Sequence, residues 1–259
     1  MFGICNQSIV PCRKEPAHRS EMVTQLLFGE HFTVLAESED WLHIKTAFDD
    51  YECWINNKQF LSIKPATFEQ LEKIRQPLSS EPVQLLQHKN SSSFFPVLLG
   101  TTLPFLRGRN FSLETHQYEF TGEHILPDPA KLTRTKLVTS ARTFLNAPYL
   151  WGGRTMFGID CSGFTQMAFK LNGFKLLRDA WQQAESGEPL SFVEESQPGD
   201  LAFFDNEEGK ITHVGLIIEN GQIIHAAGKV RIDKLDHYGI FNGDTKKYSH
   251  HLRVIKRVL

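Results

Sequence analysis

The chain has 259 residues, of which 41% are hydrophobic and 22% are charged. This balance is typical of a soluble globular protein and excludes a disordered or collagen-like chain. Its 28 Lys and Arg residues are offset by 30 Asp and Glu residues, which gives a formal net charge of −2. Because there is no basic excess to neutralise a run of phosphates, neither nucleic acid nor an anionic membrane surface is expected as a partner.

No membrane span is expected. The longest apolar runs, at residues 94–99 and 214–218, are far shorter than the roughly 20 residues that a membrane helix needs. The amino terminus, MFGICNQS, has neither a basic segment nor an apolar stretch, so no signal peptide is visible. The sequence therefore predicts a cytoplasmic protein, or a secreted or periplasmic one if a leader has been removed.

The cysteines and histidines predict neither disulfides nor a metal site. Four cysteines (Cys5, Cys12, Cys53 and Cys161) are too few and too scattered for a disulfide framework, and none form the closely spaced pairs that zinc favours. The eleven histidines, including the His250-His251 pair, show no ligand spacing combined with an acidic partner. No metal and no organic cofactor is expected.

The first half of the sequence has the pattern of two small β-barrels, because short runs rich in β-branched and aromatic residues alternate with turn residues. The predicted barrel domains are residues 1–62 and 82–127, joined by a helical linker at residues 63–81. Residues 67–74 of the linker have helical composition and end before Pro77. The predicted strands are residues 31–36, 41–46, 53–55, 96–99, 103–106 and 118–121.

The chain changes character at the two prolines of the LPDP segment, and residues 128–259 are predicted to form a separate domain. Helices are expected at residues 130–144 and 161–172, the second followed by Gly173 as a stop signal. The predicted strands are residues 200–204, 213–218 and 222–226. Helices beside antiparallel strands indicate the α+β fold class.

Cys161 is the first candidate for chemistry. It begins the predicted helix, where unpaired backbone N–H groups and the positive end of the helix dipole stabilise an anion. Such a position lowers the pKa of a cysteine below the free value of about 8.5, and the thiolate is the form that attacks carbonyls. The alternative is a small buried hydrophobic side chain, which is the ordinary role of a lone cysteine.

Two histidines on neighbouring strands can supply the base that a nucleophilic cysteine needs. If Asn220-Gly221 were a two-residue turn, His213 and His225 would point to opposite faces of the sheet. If residues 219–221 form a three-residue loop with a left-handed Gly221, Gly215 faces His225 and the two histidines share a face. In that register they lie about 7 Å apart as diagonal neighbours. His213 is then the general base and His225 orients it.

Five motifs occur in order: YLWGG at residues 149–153, DCSG at 160–163, PGDL at 198–201, HVG at 213–215 and IHA at 224–226. Together they resemble the NlpC-type family of papain-like cell-wall cysteine peptidases, over about residues 130–259. The resemblance implies a papain-like domain in which a helix packs on an antiparallel sheet. It also implies a catalytic triad of Cys161, His213 and His225 that works without a metal or organic cofactor.

The first half is similar to the bacterial SH3-like domains of one subgroup of that family, in residues 20–30 and 50–55. This subgroup cleaves the bond between γ-D-glutamate and a diamino acid in peptidoglycan stem peptides. The resemblance implies that two SH3-like barrels precede the peptidase domain. It also implies that Glu21 and Tyr51 reach over the active site and narrow the cleft beyond the L-alanine end of the substrate.

The same resemblance assigns four further residues to the substrate site: Tyr149, Trp151, Asp160 and Ser162. Asp160 and Glu21 would supply negative charge for the free amino terminus of a stem peptide, so free peptides are expected to be cleaved in preference to intact wall. Without the resemblance, Asp160 is simply a helix cap. Tyr51 and Trp54 are then barrel core.

Two residues depart from the subgroup pattern. Cys53 stands where glycine is frequent, and Ala180 stands where some members have a serine that contacts the substrate, so one substrate hydrogen bond is expected to be missing. Arg178, Asp179 and Gln183 match the family segment, and they can equally be structural salt-bridge and cap residues.

The sequence therefore predicts a monomeric cysteine endopeptidase that hydrolyses the γ-D-glutamyl–diamino acid bond of stem peptides with a free N-terminal L-Ala. Its role would be murein peptide recycling or wall turnover. One alternative is an acyltransferase or a different amidase on the same Cys-His framework, because a fold and a triad do not fix the acceptor. The other is a non-catalytic protein that binds wall fragments.

Overall fold

Strands dominate the protein, which we describe from a computed structural model of residues 1–259. These residues divide into two compact units, Met1–Pro127 and Asp128–Leu259. None of the helices has both the length and the apolar composition that crossing a bilayer requires.

The first unit contains strands β1 to β13 and helix α1. Their bounds are β1 Phe2–Ile4, β2 Ile9–Arg13, β3 Met22–Leu27, β4 His31–Ser38, β5 Trp41–Thr46, β6 Glu52–Asn56, β7 Leu61–Ile63, α1 Pro65–Lys73, β8 Leu78–Ser79, β9 Val83–His88, β10 Ser93–Leu98, β11 Asn110–Leu113, β12 His116–Phe120 and β13 His124–Ile125.

Seven of these strands form one antiparallel sheet, in the order β3-β2-β6-β5-β4-β1-β7. The strands predicted at residues 31–36, 41–46 and 53–55 are confirmed as β4, β5 and β6, because their alternating apolar residues do face a core. The core of this sheet includes Cys5, Val10, Cys12, Leu26, Phe32, Ile44, Cys53 and Ile55. The three cysteines among them are free thiols that pack as apolar side chains.

A second sheet of four strands has the order β10-β9-β12-β11. The strands predicted at residues 96–99 and 118–121 overlap β10 and β12, whereas the strand predicted at residues 103–106 is wrong. Phe105 has a left-handed backbone with φ of 58°, and its N–H donates to the Gln76 side chain at 2.7 Å. This segment therefore turns instead of joining a ladder, and it is apolar because it packs on the core.

The second unit contains strands β14 to β22, helices α2 to α4 and two short 3₁₀ helices. Their bounds are 3₁₀ Pro129–Lys131, α2 Arg134–Arg142, β14 Arg154–Thr155, β15 Gly158–Ile159, α3 Cys161–Lys170, α4 Ala180–Gln183, β16 Glu188–Leu190, 3₁₀ Val193–Glu195, β17 Leu201–Asp205, β18 Ile211–Ile218, β19 Gln222–Ala227, β20 Lys229–Asp236, β21 Gly239–Asn242 and β22 Lys247–Arg257.

Six strands of this unit close into a ring. Their order is β22-β17-β18-β19-β20-β21, and β21 pairs back onto β22, with β16 added outside β22. Helix α3 packs against β18 and β19, while α2 packs against α3. All ten residues of α3 are buried. The helix that begins at Cys161 is therefore seated on the two strands that carry His213 and His225.

The helix predicted at residues 161–172 is confirmed as α3, and Gly173 behind it is left-handed with φ of 83°. The single helix predicted at residues 130–144 is confirmed only for residues 134–142, which form α2. A 3₁₀ turn ends at Lys131, and the Thr133 side chain accepts a hydrogen bond from the Lys136 N–H and starts α2 anew. The helical composition of this segment does not reveal the internal cap.

Asp200 of the PGDL motif is a fully buried carboxylate that ties distant parts of the second unit together. It accepts a hydrogen bond at 2.9 Å from Arg134 of α2 and another at 2.9 Å from Arg257 of β22. The N–H of Gln197 is a third donor, at 2.9 Å. A buried charge is tolerated only with such partners, so Asp200 has a structural role.

We expect Asp200→Ala to lower the free energy of unfolding by about 3 kcal/mol, because it leaves two arginines without their shared partner. Denaturant unfolding followed by circular dichroism measures this. Glu208→Ala is the matched control, since the Lys210–Glu208 ion pair is exposed and worth roughly 0 to 1 kcal/mol. Equal losses for the two variants would contradict the structural role of Asp200.

Candidate active site

Cys161 is the first residue of α3, and Asp160 caps that helix. As the first helical residue, Cys161 has a backbone N–H with no partner inside the helix. Its thiol donates to the Thr212 carbonyl oxygen, with Sγ and O 4.0 Å apart, and its sulfur accepts from the N–H groups of Val214 and Ser162. The sulfur therefore lies against the backbone on both sides of His213.

Burial, followed by the Asp160 carboxylate, raises the pKa of the Cys161 thiol to about 12. The prediction that the helix N-terminus keeps this cysteine ionised is wrong for the resting protein. Loss of hydration outweighs the hydrogen bonds from the neighbouring N–H groups, since Cys161 is only 6% exposed. The resting group is a thiol, and a base must take its proton.

The predicted three-residue loop is confirmed. Ile218 pairs with Gln222, and Gly215 pairs with His225, so the hairpin has the register that puts both histidines on one face. Asn220 and Gly221 are both left-handed, with φ of 61° and 63°. The two-residue turn, which would have separated the histidines, does not occur.

His213 and His225 are joined by a hydrogen bond of 2.9 Å between Nε2 of His213 and Nδ1 of His225. Their rings meet edge to face, at 85°. Both residues are buried, with 6% and 1% of their surface exposed. The pKa of His213 is lowered well below its ordinary value of 6.5 by burial and by the adjacent rings of His225 and His250. His213 is therefore a neutral base at neutral pH.

The hydrogen-bonded series continues past His225, which the sequence prediction missed. His225 Nε2 lies 3.0 Å from Oδ2 of Asp233, and Arg231 donates to both carboxylate oxygens of Asp233, at 2.6 and 2.9 Å. The signal in the sequence is the alternation of Arg231 and Asp233 on β20. It becomes informative only when the pairing of His225 with Arg231 is known.

His250 of β22 stacks on His213, with ring centroids 4.0 Å apart and an interplanar angle of 21°. Burial and His225 lower the pKa of His250 to about 4. The ring nitrogens of His213, His225 and His250 lie within 4.8 Å of one another and could hold a metal ion. In the arrangement observed, Nε2 of His213 and Nδ1 of His225 bond each other, so an ion bound through these two atoms would replace that hydrogen bond.

The Asp160 carboxylate accepts five hydrogen bonds. Arg178 donates to its two oxygens at 3.1 and 2.6 Å, the N–H groups of Gly152 and Gly163 donate at 2.8 and 2.7 Å, and the Ser162 hydroxyl donates at 3.4 Å. Arg178 also donates to Ser162 at 2.9 Å. The helix-cap reading of Asp160 is confirmed, and its charge is balanced by a buried arginine 18 residues further along the chain.

The segment after α3 has the structural contacts expected of it. Asp179 starts α4 with a capping box. The Gln183 side chain accepts a hydrogen bond from the Thr165 hydroxyl at 2.7 Å and donates one to the Ser162 carbonyl oxygen at 3.0 Å. Ala180 is buried and brings no hydroxyl to the site. These residues hold the first turn of α3 in place.

The other predicted substrate residues are distributed between the two units. Burial, followed by the charges of Cys161 and Asp160, raises the pKa of the Tyr149 hydroxyl to about 12. Trp151 is exposed. Glu21 and Tyr51 belong to the first unit, where Glu21 pairs with Lys14 at 3.5 Å and Tyr51 packs on the core of the large sheet. Their roles in binding stay predictions.

A cysteine that opens a buried helix, set beside a histidine that is hydrogen-bonded to a second histidine, defines a cysteine peptidase. Residues 146–250 match the NlpC/P60 family, and residues 12–60 match the bacterial dipeptidyl-peptidase Sh3 domain.

Two relatives and one solved structure carry the comparison further. The chain is 31% identical over 239 residues to the gamma-D-glutamyl-L-lysine dipeptidyl-peptidase of Bacillus subtilis, covering 87% of this chain and 75% of the relative. It is 28% identical to the Bacillus cereus protein of the same name, covering 80% and 68%. A crystal structure of a Bacillus cereus NlpC/P60 family protein has a TM-score of 0.84 at 21% identity, covering all of both chains, and shares the fold. The chain belongs to the NlpC/P60 family.

We expect Gly215→Ala to lower kcat by roughly tenfold, because an added Cβ would lie 2.6 Å from Cδ1 of Ile223 and 2.9 Å from the Cβ of His225 and displace both side chains. Steady-state kinetics on a cleavable peptide measures this. Gly209→Ala is the control, since Gly209 is left-handed at φ of 76° but has open space around it. It should lose stability through backbone strain and keep its kcat. Unchanged kcat in Gly215→Ala would contradict the requirement for close packing.

Proposed function

We propose that the chain is a cysteine endopeptidase that hydrolyses the γ-D-glutamyl–diamino acid bond of peptidoglycan stem peptides with a free N-terminal L-Ala. The observation that carries the proposal is the hydrogen bond between His213 and His225 on strands that hold the Cys161 helix. The names of the Bacillus relatives, gamma-D-glutamyl-L-lysine dipeptidyl-peptidases, support the choice of bond.

Within this proposal the second unit is a papain-like domain. Support comes from α3 packed on β18 and β19, which matches the helix-on-sheet arrangement of that class. We also assign the seven-stranded and the four-stranded sheets of the first unit to two SH3-like barrels. The Sh3-domain match over residues 12–60 supports the first of them. Cytoplasmic residence and a monomeric state stay predictions from the sequence.

The reaction begins with a neutral thiol and a neutral imidazole. As the Cys161 sulfur attacks the γ-glutamyl carbonyl carbon, His213 takes the thiol proton, and a tetrahedral oxyanion forms. We assign the Cys161 backbone N–H as one donor to the oxyanion and the Tyr149 hydroxyl as a second. Such donors are typically worth about 2.7 to 4 kcal/mol.

Collapse of the tetrahedral intermediate breaks the C–N bond. Protonated His213 delivers its proton to the departing amine of the diamino acid, which leaves a thioester on Cys161. Water then attacks the thioester while His213 accepts its proton, and the thiol is released protonated. No step requires a group from outside the chain other than water.

Recognition of a free amino terminus is the finer part of the proposal. Asp160 and Glu21 carry the negative charge that would favour an ammonium group. Each of the two carboxylates already has a cationic partner, Arg178 for Asp160 and Lys14 for Glu21, so an ammonium group would have to compete with these cations. An acylated amine would bring no charge and would therefore bind more weakly.

The first experiment compares L-Ala-γ-D-Glu-L-Lys with its N-acetylated form, with products read by mass spectrometry. We expect cleavage between D-Glu and L-Lys, and a kcat/KM at least tenfold higher for the free amine, because a hydrogen bond to a charged group is worth about 1.5 to 3 kcal/mol. Equal cleavage of the two peptides contradicts amine recognition. Transfer of the acyl group to an added amine in place of water supports the acyltransferase alternative.

The same assay tests the catalytic residues. Cys161→Ala and His213→Ala should abolish cleavage without loss of folding, whereas His237→Ala, at an exposed histidine of the same unit, should leave it unchanged. An active Cys161→Ala protein would end the peptidase proposal. Peptide binding by a wild-type protein that cleaves nothing would favour the wall-fragment-binding alternative.

We expect kcat/KM to stay constant from about pH 7.5 down through pH 6.5 and to fall only well below it. The active form needs neutral His213, whose pKa is lowered by burial and by His225 and His250, so protonation disables the base only in more acid solution. A pH profile, with circular dichroism at each pH to monitor folding, measures this. An acid limb centred at or above pH 6.5 contradicts the buried neutral base.

A further inference from the structure

Asp233 occupies the far end of the hydrogen-bonded series that begins beside Cys161. On the β19–β20 ladder, His225 pairs with Arg231 and Ile223 pairs with Asp233, so the Asp233 side chain is the diagonal neighbour of His225 on the same face. Asp233 and His225 are both buried, with side-chain exposures of 3% and 1%. Neither group can exchange its partner for water.

We propose that Asp233, clamped by Arg231, is a positioning residue that dictates which ring nitrogen of His225, and through it of His213, carries the proton. The outcome is a His213 whose Nδ1 is unprotonated and serves as the base for Cys161. The catalytic meaning of this inference rests on the proposed peptidase function. The proton arrangement itself can be tested without any substrate.

The contacts of Asp233 with Arg231 keep its carboxylate ionised, so Asp233 can interact with His225 only as a hydrogen-bond acceptor. Arg231 donates through Nε to Oδ2 at 2.6 Å and through Nη2 to Oδ1 at 2.9 Å, and the Gly243 N–H approaches Oδ1 at 3.4 Å. Burial alone would raise the pKa of the Asp233 carboxyl, but the hydrogen bonds from His225 and Arg231 outweigh it and hold the pKa well below its usual range. An ionised carboxylate can only accept hydrogen bonds.

The proton positions follow in sequence from that acceptor. Because Asp233 only accepts, Nε2 of His225 must carry a proton, and a neutral His225 then has its lone pair on Nδ1. The 2.9 Å contact between that Nδ1 and Nε2 of His213 must therefore be donated by His213. A neutral His213 is left with its lone pair on Nδ1, the ring nitrogen nearer its own backbone. The Cys161 sulfur lies against that same backbone.

A purely structural role for Asp233 is the competing explanation. Arg231 also pairs with Asp244 at 2.9 Å and lies 3.4 Å from Asn242, so the ion pair could serve only to hold the turn between β21 and β22. A structural role predicts that an isosteric change costs stability and has no effect on the proton positions of the histidines. The two explanations therefore differ in what happens to the rings.

Asp233→Asn is the variant that separates them. If the amide oxygen takes the Oδ1 position, it still accepts from Arg231 and Gly243, while the NH₂ group faces His225 Nε2. That contact is satisfied only if His225 moves its proton to Nδ1. His225 then donates to Nε2 of His213, whose proton must sit on Nδ1, where it blocks the base. In this first orientation the NH₂ group meets one other donor, Nε of Arg231, which lies 2.6 Å from the Oδ2 position. In the opposite orientation it meets two, Nη2 of Arg231 and the Gly243 N–H, so the first orientation is favoured.

The first measurement uses the wild-type protein and ¹⁵N NMR of the histidine rings near pH 7.5, where chemical shifts separate protonated from unprotonated nitrogens. We expect both His213 and His225 to carry their proton on Nε2. A protonated Nδ1 on His213 in the wild type overturns the proposal. This result is independent of whether the protein cleaves any peptide.

The second measurement is kinetic, with L-Ala-γ-D-Glu-L-Lys as the probe. Asp233→Asn should lower kcat by about 100-fold or more, as expected when a base is held in the wrong tautomer, with KM changed less than about threefold, and should move the ring protons to Nδ1. Asp236→Asn is the matched control on the same strand, where the carboxylate accepts from Tyr248 and two backbone N–H groups, and it should keep the wild-type kcat.

A folded Asp233→Asn protein with kcat within about threefold of the wild type, or with unmoved ring protons, overturns the proposal. If this variant does not fold, the wild-type NMR result decides alone. If the wild-type protein cleaves no peptide but shows both protons on Nε2, the peptidase function fails and the role of Asp233 in setting the proton positions stands.

Discussion

The register of one hairpin is the constraint on which the rest of the second unit depends. A three-residue loop between β18 and β19 sets Gly215 opposite His225, and the period of two along each strand then brings His213 to the same face. A slip by one residue would turn one imidazole into the opposite layer and break the 2.9 Å bond between the rings. The left-handed Asn220 and Gly221 therefore determine, through the register of the hairpin, whether the two imidazoles can meet.

Burial gives this site its electrostatic character. It favours the neutral forms of both Cys161 and His213, because the pKa of the thiol is raised and that of the imidazole is lowered. The proton of Cys161 must therefore pass to His213 before or during attack on the carbonyl. The charged groups next to the site are two ion pairs, Asp160 with Arg178 and Asp233 with Arg231. Asp160 caps the helix that begins at Cys161, and Asp233 bonds the ring of His225.

The features that the sequence could predict depend on neighbouring residues or on a regular spacing of apolar residues. The strands β4 to β6, the helix that begins at Cys161 and the face shared by His213 and His225 all follow from spacing and turn chemistry. The raised pKa of Cys161 could not be predicted, because it depends on how completely α3 is buried. The saturation of Asp160 by Arg178, and the approach of His250 to His213 from β22, depend on chain segments distant in sequence. Asp233 has the right alternation, but only the strand pairing links it to His225.

Strand β22 is the last strand of its unit to leave the ribosome, yet it lies between β17 and β21 and also carries β16. Until it emerges, β17 and β21 each have one edge with unpaired backbone groups, and Asp200 lacks Arg257. Until β22 has been synthesised, the nascent unit therefore has an open sheet with two edges that can pair with other strands. Holdase chaperones that shield such edges are then most valuable in the interval before β22 emerges.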